Sequence, residues 1–246
     1  MAERAALVTG ASTGIGYAIA RALGEEGYAL TISSRRPERL EAATEELRGD
    51  DLEVHSVPAN AAMEDELVAL FASHRERFGR LDVLVNNAGL GIGGEIAGYP
   101  TKRLDLQLHV NLRAVVIGTR EGLPMLREAG AEHGKALIVN TASIAGKSGQ
   151  PWLSIYSATK AGVIGFSQAT QKEVAGQGIQ VTALCPGFVD TEMTDFIRGQ
   201  VKQEDMIRPE DIAEIVRCLI RLSPAAIVPE VMIVRPQELA GAGAGP

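Results

Sequence analysis

A glycine-rich turn near the N-terminus, set between a strand and a helix, constrains the fold more than any other feature. Ala5 to Thr9 is a short apolar run, and Gly10, Gly14 and Gly16 follow it before apolar residues begin to repeat at helical spacing. Glycines let the backbone turn tightly and approach a ligand, and a helix N-terminus offers N–H groups to a phosphate. The pattern therefore predicts a strand–turn–helix unit that binds a phosphate-bearing ligand.

Strands and helices alternate along the rest of the chain. Further strands are predicted at Tyr28–Ser34, Leu52–Val57, Leu81–Val85, Ala136–Thr141, Ile179–Leu184 and Ile227–Val234. Helices are predicted at Glu38–Arg48, Glu64–Phe78, Leu104–Leu126 and Pro209–Leu222. Another, which carries Tyr156 and Lys160, follows a loop at Gly146–Trp152 and runs to about Ala175. This alternation is typical of an α/β fold, and we expect one three-layer, doubly wound domain with a mostly parallel sheet over residues 1–239. The Ala-Gly repeat at 240–246 predicts a disordered tail.

Charge and cysteine content exclude several classes of function. The net charge of −7 disfavours nucleic acid and anionic membranes as partners. Apolar runs stay short of a membrane helix, and Cys185 and Cys218 form no close-spaced motif, so we expect a reduced, cytoplasmic setting. The four histidines are scattered without ligand spacing, and we therefore expect no metal.

Tyr156 and Lys160 are four residues apart and lie on one face of the predicted helix. A phenol is a weak acid–base group at neutral pH because its reference pKa is about 10, and a nearby ammonium lowers that value. Ser143 precedes Tyr156 by one loop, so the two hydroxyls can converge. Without a histidine the pair disfavours acyl transfer, but it suits polarising a carbonyl oxygen while a proton is delivered.

The end of the second strand predicts which nucleotide is bound. In doubly wound folds this position faces the adenosine ribose, where a carboxylate suits NAD and an arginine suits the 2′-phosphate of NADP. The chain has Ser34 followed by Arg35 and Arg36. We therefore expect NADP(H) to be favoured over NAD(H), since guanidinium groups match phosphate oxygens.

From Leu7 to about Val234 the sequence resembles a single-domain short-chain dehydrogenase/reductase. The motifs that carry the resemblance are Thr9–Gly16, Asn86–Gly89, Asn111, Ser143, Tyr156–Lys160 and Pro186-Gly187 with Thr191. The resemblance implies a Rossmann fold, with Tyr156 exchanging a proton with the substrate oxygen and Ser143 holding that oxygen. Lys160 would lower the phenol's pKa and bind the nicotinamide ribose, and Asn111 would hold a water that links Lys160 to solvent.

The resemblance also implies the residues around each ligand. Cofactor contacts are expected at Gly10, Ser12, Thr13, Gly14, Ile15, Gly16, Ser34, Arg35, Arg36, Asn60, Ala61, Asn87, Ala88, Gly89, Tyr156, Lys160, Pro186, Gly187, Val189 and Thr191. Substrate contacts are expected at Ser143, Ile144, Gln150, Trp152, Tyr156, Phe188 and Met193. The glycine-rich segment 91–94 and the polar segment 191–203 are both expected to move, the latter as a lid.

The implied function is a hydride-transfer oxidoreductase that interconverts a ketone or aldehyde and an alcohol. A non-catalytic dinucleotide sensor and an NAD-preferring alcohol dehydrogenase are the alternatives; a sugar-nucleotide epimerase would need an added domain. The substrate stays open among 3-oxoacyl thioesters, steroid or polyketide ketones and small alcohols. We expect a homodimer or homotetramer, although Pro229–Pro236 lacks the glycine-rich pattern that many relatives use in a tetramer face.

Overall fold

Strands and helices alternate through residues 3–239, the part of the chain that the computed structural model describes. The strands are β1 (Ala5–Thr9), β2 (Ala29–Ser33), β3 (Val54–Ser56), β4 (Val83–Asn86), β5 (Ala136–Thr141), β6 (Ile179–Pro186) and β7 (Glu230–Ile233). The helices are α1 (Gly14–Glu25), α2 (Pro37–Gly49), α3 (Glu64–Phe78), α4 (Thr101–Leu108), α5 (Ala114–His133), α6 (Ser154–Val174), α7 (Pro209–Arg221) and α8 (Pro236–Leu239). Every predicted strand is present, within a few residues of its predicted bounds.

The strands form one sheet in the order β3-β2-β1-β4-β5-β6-β7, and each neighbouring pair is parallel. The order reverses between β1 and β4, which is the crevice where ligands bind in folds of this kind. The predicted doubly wound, single-domain α/β fold is therefore confirmed.

Apolar side chains of β1 show how the sheet is covered on both faces. Ala6 and Val8 pack with Ile19 of α1 in one core cluster, whereas Leu7 packs with Leu70 of α3 in another. All five are fully buried. Because successive side chains of a strand point to opposite faces, the continuous apolar run requires helices on both sides.

The predicted helix Leu104–Leu126 is longer than expected and is interrupted. It runs as α4, a π-helical turn at His109–Arg113 and then α5, which ends at His133 beside Gly134 in the left-handed conformation. Asn111 lies in the π-helical turn and is fully buried. Such turns commonly occur at functional sites, because they rotate one side chain away from the regular helical path.

The predicted lid, 191–203, contains one short 3-10 helix, Glu192–Ile197, and ends where a second, Gln203–Asp205, begins. Val189, which precedes the segment, and Ile207, which follows it, pair through an isolated parallel β-bridge. The predicted disordered tail, 240–246, lies outside the described residues. Within residues 3–239, no helix has both the length and the apolar character needed to cross a membrane.

Candidate active site

The glycine-rich turn after β1 is shaped so that side chains are excluded. Gly10 and Gly14 have φ angles of 66° and 58°, a region that glycine enters without strain. A Cβ at Gly16 would lie 2.3 Å from the carbonyl oxygen of Gly10. The turn therefore presents bare backbone at the switch point of the sheet.

The start of α1 faces this turn and fits a dinucleotide. Thr13, its N-cap residue, has an extended backbone, and among the described residues no side chain caps the helix there. Ser12, Gly14 and Ile15 are partly accessible, and Thr13 is exposed. Uncapped N–H groups at the positive end of a helix bind phosphate oxygens, so this cradle fits the pyrophosphate of a dinucleotide.

The end of β2 places Ser34, Arg35 and Arg36 beside that cradle. The two arginines are exposed, while Ser34 is buried and its hydroxyl donates to the carbonyl of Arg36 at 3.4 Å. Asn60 and Ala61 lie in the turn after β3, where Asn60 Oδ1 accepts from the N–H of Ala62 at 3.1 Å. The side-chain oxygen of Asn60 is therefore already hydrogen-bonded within its own turn.

An ion pair links this basic corner to the predicted lid. Both oxygens of Glu192 accept from Nη1 of Arg39, at 2.8 and 2.7 Å. Arg39, followed by Arg36, lowers the pKa of the Glu192 carboxyl below its usual value. Sequence reasoning did not identify this pair, because its partners are far apart in the chain and on exposed surfaces.

Asn87, Ala88 and Gly89 connect the end of β4 to the glycine-rich turn. The hydroxyl of Thr9 accepts from the N–H groups of Asn87 and Ala88, at 3.0 and 3.1 Å. Asn87 Nδ2 donates to the carbonyls of Thr9 and Gly10, at 3.1 and 3.2 Å. The asparagine therefore locks two strand ends together beside the switch point.

Lys160 lies in α6, and its buried side chain reaches the end of β5. Its side chain is 3% exposed, and Nζ donates to the carbonyl oxygen of Thr141 at 2.7 Å. Burial lowers the pKa of the Lys160 ammonium to about 8. Nζ lies 5.7 Å from the centre of the Tyr156 ring, so the lysine and the phenol share one site.

The Tyr156 phenol is not the easily ionised group that the sequence predicts. Burial raises the pKa of Tyr156 above its usual value, and the neighbouring Ser143 hydroxyl opposes this shift. Ser143 Oγ accepts from the N–H of Ala145 at 3.1 Å and donates to the carbonyl of Pro186 at 3.5 Å. The lowered phenol pKa is therefore not a property of the protein alone, and it stays a prediction for the cofactor complex.

Asn111 reaches across from the π-helical turn to the loop after β4. Its Oδ1 accepts from the N–H of Leu90 and its Nδ2 donates to the carbonyl of Leu90, both at 2.8 Å. Nδ2 also donates to the Thr159 hydroxyl, one residue before Lys160, at 3.2 Å. A Cβ at Gly89 would lie 3.5 Å from Lys160 Nζ and 3.6 Å from Asn111 Oδ1, so the three residues are neighbours.

The segment from Pro186 to Thr191 forms the opposite side of the site. Val189 is buried, and a Cβ at Gly14 would lie 2.9 Å from Cγ2 of Thr191, which places Thr191 over the glycine-rich turn. A Cβ at Gly187 would lie 2.2 Å from Oε2 of Glu238 in α8. Sequence reasoning did not identify Glu238, which also accepts from the N–H of Phe188 at 3.3 Å.

The predicted substrate residues lie on three segments of the chain, at 143–144, 150–156 and 188–193. Ile144 and Phe188 are partly buried, while Trp152 and Met193 are 57% and 44% exposed. Gln150 is exposed, and its Nε2 donates back to the carbonyl of Ser148 at 2.9 Å. The apolar members of this set are therefore available to a ligand, whereas the Gln150 side chain is engaged within its own loop.

The segment 91–94, predicted to move, is held by hydrogen bonds at several points. Gln107 and Tyr99 contact Ile92, and the N–H of Gly94 donates to the carbonyl of Trp152 at 2.8 Å. Sequence reasoning missed Gln107 and Tyr99, although Gln107 precedes Asn111 by one helical turn and that spacing is a usable signal. Among the described residues, no cluster of three or more histidine, cysteine or acidic side chains is placed to hold a metal ion.

Comparison with known proteins agrees with this geometry. The family model described as short chain dehydrogenase matches residues 4–202. A 3-oxoacyl-[acyl-carrier-protein] reductase, FabG, of Staphylococcus aureus is 37% identical over 203 residues, covering 82% of this chain and 80% of the relative. A putative ketoacyl reductase of Streptomyces coelicolor is 36% identical over 249 residues, covering 93% and 94% of the two chains.

Solved structures agree as well. A variant of actinorhodin polyketide ketoreductase with NADPH superposes with a TM-score of 0.87 at 35% identity, covering 94% of this chain and 96% of the other. An alcohol dehydrogenase from the archaeon Thermococcus sibiricus, complexed with 5-hydroxy-NADP, gives 0.85 at 32% identity, covering 94% and 95%. The chain therefore belongs to the short-chain dehydrogenase family of oxidoreductases.

Proposed function

We propose that this protein is an NADP(H)-dependent oxidoreductase that interconverts a ketone and an alcohol. The observation that carries the proposal is the convergence of Ser143, Tyr156 and Lys160 beside the glycine-rich turn at the switch point of the sheet. A phenol, a hydroxyl and an ammonium at one buried place suit proton transfer to a carbonyl oxygen.

In the proposed reduction each residue has a separate task. The bound nicotinamide supplies the hydride. Tyr156 donates the proton of its hydroxyl to the substrate oxygen. Ser143 donates a hydrogen bond to the same oxygen, and Lys160 returns a proton to the phenolate that forms.

The route by which Lys160 is reprotonated would run past Asn111. The Asn111 amide binds the carbonyl of Leu90, the residue after Gly89, which neighbours Lys160. Its contact with Thr159 orients the helix turn that carries Lys160. We propose that a water bound between the Lys160 ammonium and the Leu90 carbonyl connects the lysine to solvent. Asn111 therefore acts by positioning that carbonyl.

The proposed preference for NADP(H) rests on the basic corner after β2. Arg35 and Arg36 are exposed beside the cradle, and Ser34 offers a hydroxyl instead of a carboxylate. The similar solved structures contain NADPH and 5-hydroxy-NADP, which is consistent with this preference.

The proposed substrates are ketones with a sizeable apolar body, such as 3-oxoacyl or polyketide chains. Trp152, four residues before Tyr156, and Met193, two residues after Thr191, both expose apolar surface. Burying such surface stabilises an apolar ligand. The similar curated proteins are named as reductases of ketoacyl compounds.

Leu108 and Val116 are also exposed, on α4 and α5, and we propose that these helices form the interface of a homodimer or homotetramer.

The test of the proposed function is oxidation of NADPH in the presence of a panel of ketones, followed by absorbance. We expect turnover by the native protein and a loss of about 10²–10⁴-fold in Tyr156→Phe, because the phenylalanine cannot donate a proton. Tyr28→Phe is the matched control. Tyr28 lies just before β2, at the amino-terminal ends of the strands, whereas the site lies at their carboxyl ends. Undiminished turnover in Tyr156→Phe would defeat the proposed mechanism, and NADPH binding without turnover of any ketone would favour a dinucleotide sensor.

A further inference from the structure

Gln107 is a completely buried polar residue that the proposed chemistry does not use. It lies in α4, one turn before Asn111. Its Oε1 accepts from the N–H of Ile92 at 3.0 Å, and its Nε2 donates to the carbonyl of Ile92 at 3.2 Å and to the hydroxyl of Tyr99 at 2.8 Å. The Tyr99 hydroxyl completes a ring by donating to the Ile92 carbonyl at 2.9 Å. Both amide hydrogens of Gln107 are therefore engaged.

The arrangement repeats at Leu90, where Asn111 binds both the N–H and the carbonyl. Two amide side chains, one helical turn apart, thus bind the loop in the same way. Asn111 binds the N–H and the carbonyl of Leu90, and Gln107 binds those of Ile92. The next alternate residue, Gly94, donates its N–H to the carbonyl of Trp152 at 2.8 Å. We call residues 90–94, held in this way, the amide-bound wall.

The residues between these anchors face the active site. A Cβ at Gly91 would lie 3.8 Å from Cδ2 of Tyr156, and a Cβ at Gly93 would lie 2.1 Å from Cζ3 of Trp152. With Leu90 and Ile92 bound to the Asn111 and Gln107 amides, Gly91 and Gly93 between and beside them lie against Tyr156 and Trp152. The wall therefore presents glycine backbone beside the phenol.

Trp152 is held in a conformation that bulky residues rarely adopt. Its φ is 67°, in the left-handed region, and its indole lies against Gly93. Such strain persists only where surrounding contacts fix it, and it occurs preferentially in functional sites. The hydrogen bond from Gly94 is one of those contacts, so the wall and the indole position each other.

We propose that Gln107 is a positioning residue that fixes the amide-bound wall and thereby determines in which orientation a ketone meets Tyr156. This inference rests on the proposed function. A fixed wall on one side of the phenol leaves room for the larger substituent of the ketone only on the other side. The ketone is then bound in one orientation, and the hydride reaches one face of its carbonyl. Gln107 itself contacts neither substrate nor cofactor.

The test compares Gln107→Met, which keeps side-chain length and removes every hydrogen bond, with Gln180→Met. Gln180 is also buried, and its Nε2 donates to the carbonyl of Pro224 at 3.1 Å, near the start of β6 and away from the wall. Tyr99→Phe is a second test variant, because it removes only the hydroxyl of the ring.

The first measurement is amide hydrogen exchange over residues 88–95, which needs no substrate. We expect exchange at Ile92 to accelerate at least about tenfold in Gln107→Met, because its N–H loses its acceptor, and less in Tyr99→Phe. Unchanged exchange at Ile92 in Gln107→Met would overturn the inference whatever the enzyme does.

The second measurement is the enantiomer ratio of the alcohol formed from a prochiral ketone with one large and one small substituent. We expect the ratio to fall about tenfold in Gln107→Met, with KM raised and kcat less affected, while Gln180→Met keeps the native ratio. An unchanged ratio in Gln107→Met, or an equal fall in Gln180→Met, would overturn the positioning role. Absence of turnover in the native protein refutes the proposed function instead, and with it the positioning role, while the exchange experiment still decides whether Gln107 holds the wall.

Discussion

Lys160 Nζ lies 2.7 Å from the carbonyl oxygen of Thr141, the last residue of β5. The lysine side chain is 3% exposed, and burial, the dominant influence, lowers its pKa to about 8. A buried ammonium with one carbonyl partner is destabilising unless a ligand adds further partners. The site therefore accepts a cost in stability, which the proposed contact with a cofactor ribose would offset.

Substituting Lys160 by methionine should change how stability depends on pH. The folded pKa of about 8 lies below the unfolded value of about 10.4, so between these values the unfolded chain binds more protons. The free energy of unfolding of the native protein should then rise relative to Lys160→Met, by up to about 1.4 kcal/mol per pH unit, from pH about 8 to about 10.

Urea unfolding at a series of pH values measures this difference. Lys172→Met is the matched control, because Lys172 is an exposed lysine of the same helix. A difference between native protein and Lys160→Met that stays constant with pH would show that Lys160 titrates as an ordinary lysine.

Replacing Arg35 and Arg36 by serine should weaken NADPH binding and leave NADH binding nearly unchanged. Each charged hydrogen bond to the 2′-phosphate contributes about 1.5–3 kcal/mol, so the affinity for NADPH should fall about 10- to 100-fold per lost contact. Fluorescence titration of both cofactors gives the ratio directly, with Arg75→Ser, an exposed residue of α3, as control. An equal loss for NADH and NADPH would refute a contact with the 2′-phosphate.

Glu192→Gln should strengthen NADPH binding about two- to fivefold, as expected for an exposed ion pair. The carboxylate binds Arg39 in a bidentate manner and also senses Arg36, so it competes with a 2′-phosphate for the same cations. NADH affinity should change less, and the gain should shrink as salt is added. Weaker NADPH binding in this variant would mean that the ion pair mainly holds the lid in place.

The succession of strands and helices along the chain, and the residues at the strand ends, could be predicted from the sequence, because apolar runs and glycines act locally. Ser143, Tyr156 and Lys160 do meet, since each follows a strand whose end lies at one edge of the sheet. The hydrogen bonds of Gln107 with Ile92 and Tyr99 could not be predicted. They depend on how a loop without regular structure folds back onto a helix, and the π-helical turn that aims Asn111 at Leu90 leaves no periodic signal.

The pKa of Tyr156 could not be predicted for a related reason. The spacing of Tyr156 and Lys160 indicates that the two side chains are neighbours. Burial nevertheless raises the pKa of Tyr156, and the Lys160 ammonium donates to the carbonyl of Thr141. The mobility predicted for 91–94 stays a prediction, and the hydrogen bonds of Gln107 and Tyr99 with Ile92 within that segment could not be foreseen from its glycine content.

Gly91→Ala should narrow the range of ketones without unfolding the protein. A Cβ there would lie 3.8 Å from Cδ2 and 3.9 Å from Cε2 of Tyr156, which is ordinary contact, so the fold should tolerate it. The added methyl group occupies space beside the phenol, where a large ketone substituent would lie. We expect kcat/KM for a bulky ketone to fall about tenfold or more while that for a small ketone changes little. Gly149→Ala, where a Cβ meets nothing within 4 Å, is the control. An equal fall in kcat/KM for bulky and small ketones would show that the bulky substituent does not lie beside the amide-bound wall.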